Sequence, residues 1–326
     1  MNYYRIRVRK VLLLALGLLA ILPAYHQDGL AAPGYGAWSA PANLGSLVNT
    51  EFAESGPHTS KDGLTLYFSS TRPASYGSFG AEDLWVSQRA SADAPWGLPM
   101  NLGGTINTGA NERTPALSRD GHYLFFASDR PGGLGGLDIW VSWRANTQDI
   151  FGWESPVNLG TDINSPATDG GPSFFENDDV GIPQLYMTSS KAGGLGGIDI
   201  YVSALLGGLF QPPTSVAELN TAQFDLTPSI RHDGLEIAFA SDRPGGVGGR
   251  DLWSATRSSV NGTWSTPVNL GVVVNSASGE NFPSLSADRT SLFFSSDRPG
   301  GFGATDLYVS TRQKCNSSPY PVSPNA

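Results

Sequence analysis

The sequence predicts an all-β fold: a five-bladed β-propeller of four-stranded antiparallel blades, the last blade closed by a strand from the N-terminal end. Three observations predict it. The phrase SDRPGGLGGLDIWVS at 128–142 has close copies at 241–254 and 296–310 and weaker ones at 70–87 and 190–203. The prolines Pro57, Pro115, Pro172, Pro228 and Pro283 set a period of about 55 to 58 residues, a little above that of kelch and WD40 blades. With 40 Gly, 23 Pro and 15% charged residues among 326, the chain is punctuated like many short strands rather than like helices.

Each repeat reads alike. A short strand follows the proline and ends at Asp62-Gly63, Asp120-Gly121, Asp233-Gly234 or, in the last copy, Asp288-Arg289. Asp-Gly between apolar alternations is a hairpin signal. A second strand follows (LTLYFSS, HYLFFAS, QLYMTSS, LEIAFAS, TSLFFSS), then the Gly-rich loop, then a third strand of the type DLWVS or DIYVS. A fourth carries Trp96, Trp153, Phe210 or Trp264. Such a unit cannot bury both faces without neighbours. Repeats span about 51–107, 108–164, 165–220 and 221–275, with 276–314 plus 36–48 as the fifth. The fifth runs out in a Pro/Ser-rich tail, 315–326, without a fourth strand. Its missing piece stands at 38–45, which matches 264–271 in six of eight positions. Supplying it from the other end of the chain removes two open sheet edges.

Ahead of the repeats, Arg5, Arg7, Arg9 and Lys10 precede an apolar run at 11–24, with Ala31 and Ala32 beyond it. That layout predicts a signal peptide over 1–31 and an exported product, periplasmic or extracellular, with the propeller over 32–314. The run is shorter than the ~20 residues of a spanning helix, so no membrane span is expected after cleavage; an uncleaved anchor is the alternative. The net charge of −9 excludes a nucleic-acid partner, whose phosphates would be repelled. The one cysteine, Cys315, leaves no internal disulfide, so the core alone must hold the fold.

These repeats resemble the TolB-type, WD40-like propeller repeat of bacterial envelope proteins over roughly 36–312. The resemblance implies a fold and says little about function, because this repeat serves many tasks. TolB resembles a six-bladed version with an extra domain, so its partners are not carried over.

Several residue sets recur with the blades. The loop aspartates Asp83, Asp138, Asp199, Asp251 and Asp306 are expected to accept loop amides or to pair with Arg72, Arg130, Lys191, Arg243 or Arg298. The loop glycines supply positive φ. Neither a nine-residue calcium repeat nor a Gly-Lys-Ser/Thr phosphate cradle is present. The aromatics Trp85, Trp140, Tyr201, Trp253 and Tyr308 read as filling between blades, or as sugar platforms.

The pattern N-x4-[D/E]-x2-P occurs in all five repeats. It places Asn49, Asn107, Asn164, Asn220 and Asn275 eight residues before each proline, and Glu54, Glu112, Asp169, Asp225 and Glu280 three before. In a propeller this segment leads into the innermost strand, so the acids are expected at one mouth of the central channel. Two carboxylates ~8 Å apart at an effective dielectric of ~20 repel by about 2 kcal/mol, and something must offset a ring of five. The choices are a cation such as Ca²⁺, a basic partner, raised pKa values, or hydrogen bonds from the asparagines and backbone. The plainer alternative is that each acid caps its own connector.

His58, His122 and His232 form no catalytic motif with neighbouring residues, and Cys315 lies in the tail. The functional expectation is therefore a monomeric, non-enzymatic module that binds or scaffolds an envelope protein or glycan at an acidic channel mouth. The alternative is a carbohydrate-active enzyme or lectin using channel-mouth carboxylates. Blade three, with its acidic insertion at 176–179, and blade one, with Tyr76 and Phe79 in a longer loop, depart most from the repeat.

Overall fold

The computed structural model describes residues 34–176 and 181–315. The expected leader 1–31, most of the tail and most of the acidic insertion lie outside them.

The repeats fold as five sheets in a ring. Blade 1 runs Glu54–Thr59, Thr65–Ser70, Asp83–Gln88 and Met100–Asn101 from the channel outward, and all its pairs are antiparallel. Blades 2 and 4 repeat this order. In blade 5 the outermost strand is Ala42–Asn43, with Ala42 opposite Val309 and Asn43 opposite Tyr308. The two ends of the sequence therefore close the ring, as the match at 38–45 predicts.

Two details correct the strand assignment. Trp96, Trp153 and Trp264 precede the outermost strands, which are only two residues long at Met100–Asn101, Val157–Asn158 and Val268–Asn269. Blade 3 is five-stranded: Asp199–Leu206 pairs with both Leu209–Phe210 and Thr214–Ser215, so Phe210 lies on an added hairpin.

The second and third strands carry the core, including Leu66, Phe68, Leu124, Phe126, Phe239 and Phe294, none of it exposed. Apolar clusters join adjacent blades: Tyr67 and Leu84 of blade 1 pack with Leu124 and Trp153 of blade 2. One glycine of each Gly-rich loop (Gly80, Gly135, Gly196, Gly248, Gly303) lies on a carbonyl of the next connector, where a Cβ would overlap the oxygen. This close approach, more than turn geometry, requires glycine there.

Candidate functional site

Each innermost strand bulges at its third residue. Gly56, Thr114, Gly171, Thr227 and Phe282 take φ of 57°, 50°, 54°, 48° and 53°, and strand register shifts across them. These residues and the five prolines line the channel, which narrows to a cavity of about 30 Å³. That is room for about two or three water molecules and some tenfold below the roughly 300–1,000 Å³ of small-molecule sites, so this cavity holds no saccharide.

The five ring acids do not face that channel. Glu54, Glu112, Asp169, Asp225 and Glu280 have no exposed surface. Glu112 accepts from Thr108 N (2.9 Å) and Oγ1 (2.7 Å) and from Ser128 Oγ (3.0 Å), and pairs with Arg130 at 3.0 Å. Glu54 has Thr50, Ser70 and Arg72 in the same roles. Asp225 has Thr221, Ser241 and Arg243, and Glu280 has Ser276, Ser296 and Arg298. The expectation of a solvent-facing acidic mouth is corrected: a guanidinium offsets four of the charges within each blade, and donors fill the oxygens. Among the described residues Asp169 accepts from Ser165 alone, with Lys191 where the other blades have arginine.

The asparagines complete the scaffold. Asn107 Oδ1 accepts from Leu84 N (2.8 Å) and its amide donates to Leu84 O (2.9 Å), as a strand partner would. Asn164, Asn220 and Asn275 bond Ile139, Ile200 and Leu252 likewise, and Asn49 reaches Leu307 across the ring closure. The loop aspartates accept loop amides, as at Phe79 N (2.6 Å) and Gly80 N (3.1 Å) onto Asp83. Asp138, Asp199, Asp251 and Asp306 do the same at Leu134, Gly196, Val247 and Phe302. The basic residues expected beside these aspartates lie instead over the third-strand aromatics, Arg130 5.2 Å from the Trp140 ring centre and Lys191 4.0 Å from that of Tyr201. All five aromatics are buried between blades.

The repeat carries one further regularity. The residue after each asparagine is Thr50, Thr108, Ser165, Thr221 or Ser276, always a hydroxyl, and always the donor to the acid. That constancy marks a connector cap rather than an open carboxylate.

What breaks the fivefold pattern lies at the channel end where the innermost strands begin. Glu82, buried between blades 1 and 2, accepts from Ser55 Oγ (3.1 Å) and lies 2.6 Å from Arg113 Nε. The corresponding positions are Leu137, Ile198, Arg250 and Thr305. Burial pushes the Glu82 carboxyl above its ordinary value, against the Arg113 charge and the Ser55 bond, and the negative charge of Asp129 adds to the rise. Asp129 is exposed at the same rim and accepts from Asn111 N and Nδ2, both at 2.8 Å. Against the desolvation of its position, these bonds and Arg113 hold it below the ordinary carboxylate range.

The opposite end is basic. His58, Lys61, Arg119 and His232 border a cavity of about 70 Å³ there, with Glu176 at its edge. Burial lowers the His58 pKa to about 4. Burial, with the charges of Arg119, Arg289 and Lys61, also lowers that of His232. Among the described residues no three His, Cys, Asp or Glu side chains gather as metal ligands, and no helix is long and apolar enough to cross a membrane.

No family model matches the chain, and no curated protein matches it. Solved structures do. The α-L-arabinofuranosidase of Lactobacillus brevis aligns with TM-score 0.54 at 13% identity, over 83% of this chain and 92% of its own. The α-L-arabinofuranosidase PaAbf62A of Podospora anserina, in complex with cellotriose, aligns with TM-score 0.52 at 13% identity, over 85% and 97%. A putative TolB of Agrobacterium tumefaciens aligns with TM-score 0.48 at 16% identity, over 85% and 92%. The propeller is thus supported and a specifically TolB-type chain is not. The class defined here is a five-bladed propeller of the architecture that these glycosidases share. The expected non-enzymatic module is corrected with it: the two solved propellers named here with TM-scores above 0.5 are arabinofuranosidases, and the acids that were to form its binding mouth are buried.

Proposed function

We propose that this chain is an exported glycoside hydrolase whose reaction takes place at the channel end between blades 1 and 2. The carrying observation is the Glu82–Arg113–Asp129 group. It sets Glu82, which stands in blade 1 alone and is pushed toward its protonated form, near Asp129, the connector-capping aspartate that recurs as Asp242 and Asp297 and is here held ionised. Two titratable groups driven apart by their surroundings are what acid–base cleavage of a glycosidic bond needs. Glu82 serves as proton donor to the departing sugar oxygen. Asp129, open to solvent, takes a proton from the attacking water. Arg113 steadies both. The likeness to arabinofuranosidases supports an arabinofuranosyl unit as the sugar released.

The test is arabinose release from an arabinofuranosyl-substituted xylan, followed by chromatography. Glu82→Gln is expected to lower the rate by about 100-fold or more, the ordinary worth of a positioned general acid. Asp242→Asn, at the position in blade 4 that corresponds to Asp129, is expected to leave it unchanged. Equal rates for the native protein and Glu82→Gln would overturn the assignment.

A further inference from the structure

In every blade the rim residue that follows the second strand caps the connector running into the innermost strand. Ala53 N donates to Thr71 Oγ1 at 3.0 Å, Thr168 N to Ser190 Oγ at 3.1 Å, Phe224 N to Asp242 Oδ1 at 2.8 Å and Gly279 N to Asp297 Oδ1 at 2.6 Å. Among the described residues each of these side chains accepts that one bond. Blade 2 keeps the main-chain bond, from Asn111 N to Asp129 Oδ1 at 2.8 Å, and adds another from the same residue, Asn111 Nδ2 to Asp129 Oδ2 at 2.8 Å. The corresponding connector residues, Ala53, Thr168, Phe224 and Gly279, have no side-chain amide to offer.

The added bond changes what the carboxylate can do. Asp129, Asp242 and Asp297 are all exposed. Held through one oxygen, an exposed carboxylate pivots about that bond. Held through both oxygens by one residue, its plane is fixed, and of its roughly four acceptor sites about two stay free for water. A reacting group works only when held to within about 0.5 Å of its productive position. The two bonds also favour the ionised form: against desolvation, they act with the amide of Asp129 itself and the Arg113 charge to hold the carboxyl below its ordinary range.

Asn111 touches the other half of the site as well. Its main chain forms a parallel bridge with Glu82, and the next residue, Glu112, donates its N–H to Glu82 O at 2.7 Å. Arg113, two residues on from Asn111, lies 2.6 Å from the Glu82 carboxylate. Blades 5 and 1 share the same kind of bridge, Ala53 with Thr305, but neither a carboxyl nor an amide side chain stands there.

We infer that Asn111 is a positioning residue of this site: it clamps Asp129 through both oxygens and ties it to the Glu82 main chain, so that Asp129, rather than Asp242 or Asp297, is the carboxylate that activates water. The inference rests on the hydrolase reading above and supplies the reason why one of three recurring aspartates is set apart.

The test is a pair of measurements on the native protein and Asn111→Ala. The first follows the Asp129 carboxyl carbon through a pH titration by NMR, with Asp129→Asn to assign the signal, and needs no turnover. Its midpoint is expected to rise in Asn111→Ala, which removes a bond to the ionised form, and to rise further in Asn111→Asp, which adds a like charge. The second records kcat/KM against pH on 4-nitrophenyl α-L-arabinofuranoside, whose leaving group needs no acid. In Asn111→Ala the acid limb is expected to move to higher pH by the same interval, and kcat above it to fall about tenfold or more, with KM and melting temperature unchanged. An Asp129 midpoint that stays in place in Asn111→Ala would overturn the clamp. A moved midpoint with an unmoved acid limb would overturn Asp129 as the base. Absence of hydrolysis by the native protein would overturn the hydrolase reading, while the NMR titration would still decide the clamp.

Discussion

Asp169 shows how much the ring arginines contribute. Its Oδ1 is buried without a hydrogen-bond partner, and Lys191 donates to Pro213 O (3.3 Å) instead. In blade 4 an aspartate of the same length is served by Arg243. A guanidinium reaches the acid and a carbonyl together, which a point-like ammonium does not. Lys191→Arg is therefore expected to stabilise the protein by about 1 kcal/mol, read as a higher denaturation midpoint. The converse holds in blade 2. Glu112→Gln leaves Arg130 charged and buried, and is expected to cost about 3–5 kcal/mol in the same measurement.

Two of the shifted groups at the channel ends, His58 and Glu82, give opposite pH signs. His58 has its folded pKa lowered from 6.5 to about 4 by burial. Its contribution is complete above about 6.5 and is lost as the pH falls toward 4, some 3 kcal/mol in all. His58→Gln should flatten the fall of melting temperature across that window. Glu82 is raised, so the folded state resists its ionisation, and stability drains as the pH climbs from 4.5 through the folded value. At neutral pH Glu82→Gln should thus leave the melting temperature equal or higher, as expected of a carboxyl kept for chemistry rather than for stability.

At the scale of elements, what repeats was legible and what does not repeat was not. Strand order, hairpins and the borrowed outermost strand of blade 5 followed from self-similarity. The ring acids were found by the same means and then misplaced, because a fivefold carboxylate looks like a binding ring until its donors are counted. The hydroxyls at Thr50, Thr108, Ser165, Thr221 and Ser276 were the missing donors, each one residue past an asparagine already identified. Glu82 was invisible for the opposite reason. Standing once, before an aspartate that stands five times, it acquires meaning only when folding brings Ser55, Arg113 and Asp129 around it. The closure depends on one of these connectors. Asn49 bonds both the N–H (2.8 Å) and the carbonyl (3.0 Å) of Leu307 on the far end of the chain. Asn49→Ala should cost about 2 kcal/mol and expose the Asp306–Thr311 amides to hydrogen exchange before those of blade 2.

At the scale of the molecule, five repeats make a closed, internally compensated scaffold whose channel is too narrow for a sugar, and the departures from repetition fall at its rims. Blades 1 and 2 bring Glu82, which stands once, up to Arg113 and the recurring Asp129, and blades 5 and 1 border a cavity with Tyr76 and Phe302. A propeller that hydrolyses glycosides needs such departures, since cleavage gives two acids different tasks. The most direct measurement compares two substrates for three proteins: the native chain, Glu82→Gln and Asp129→Asn. One substrate is the substituted xylan, whose leaving sugar needs a proton. The other is 4-nitrophenyl α-L-arabinofuranoside, whose leaving phenolate does not. The account predicts that Asp129→Asn loses both activities, while Glu82→Gln loses the first and keeps most of the second. Equal losses on both substrates for Glu82→Gln, or no loss for either variant, would contradict it.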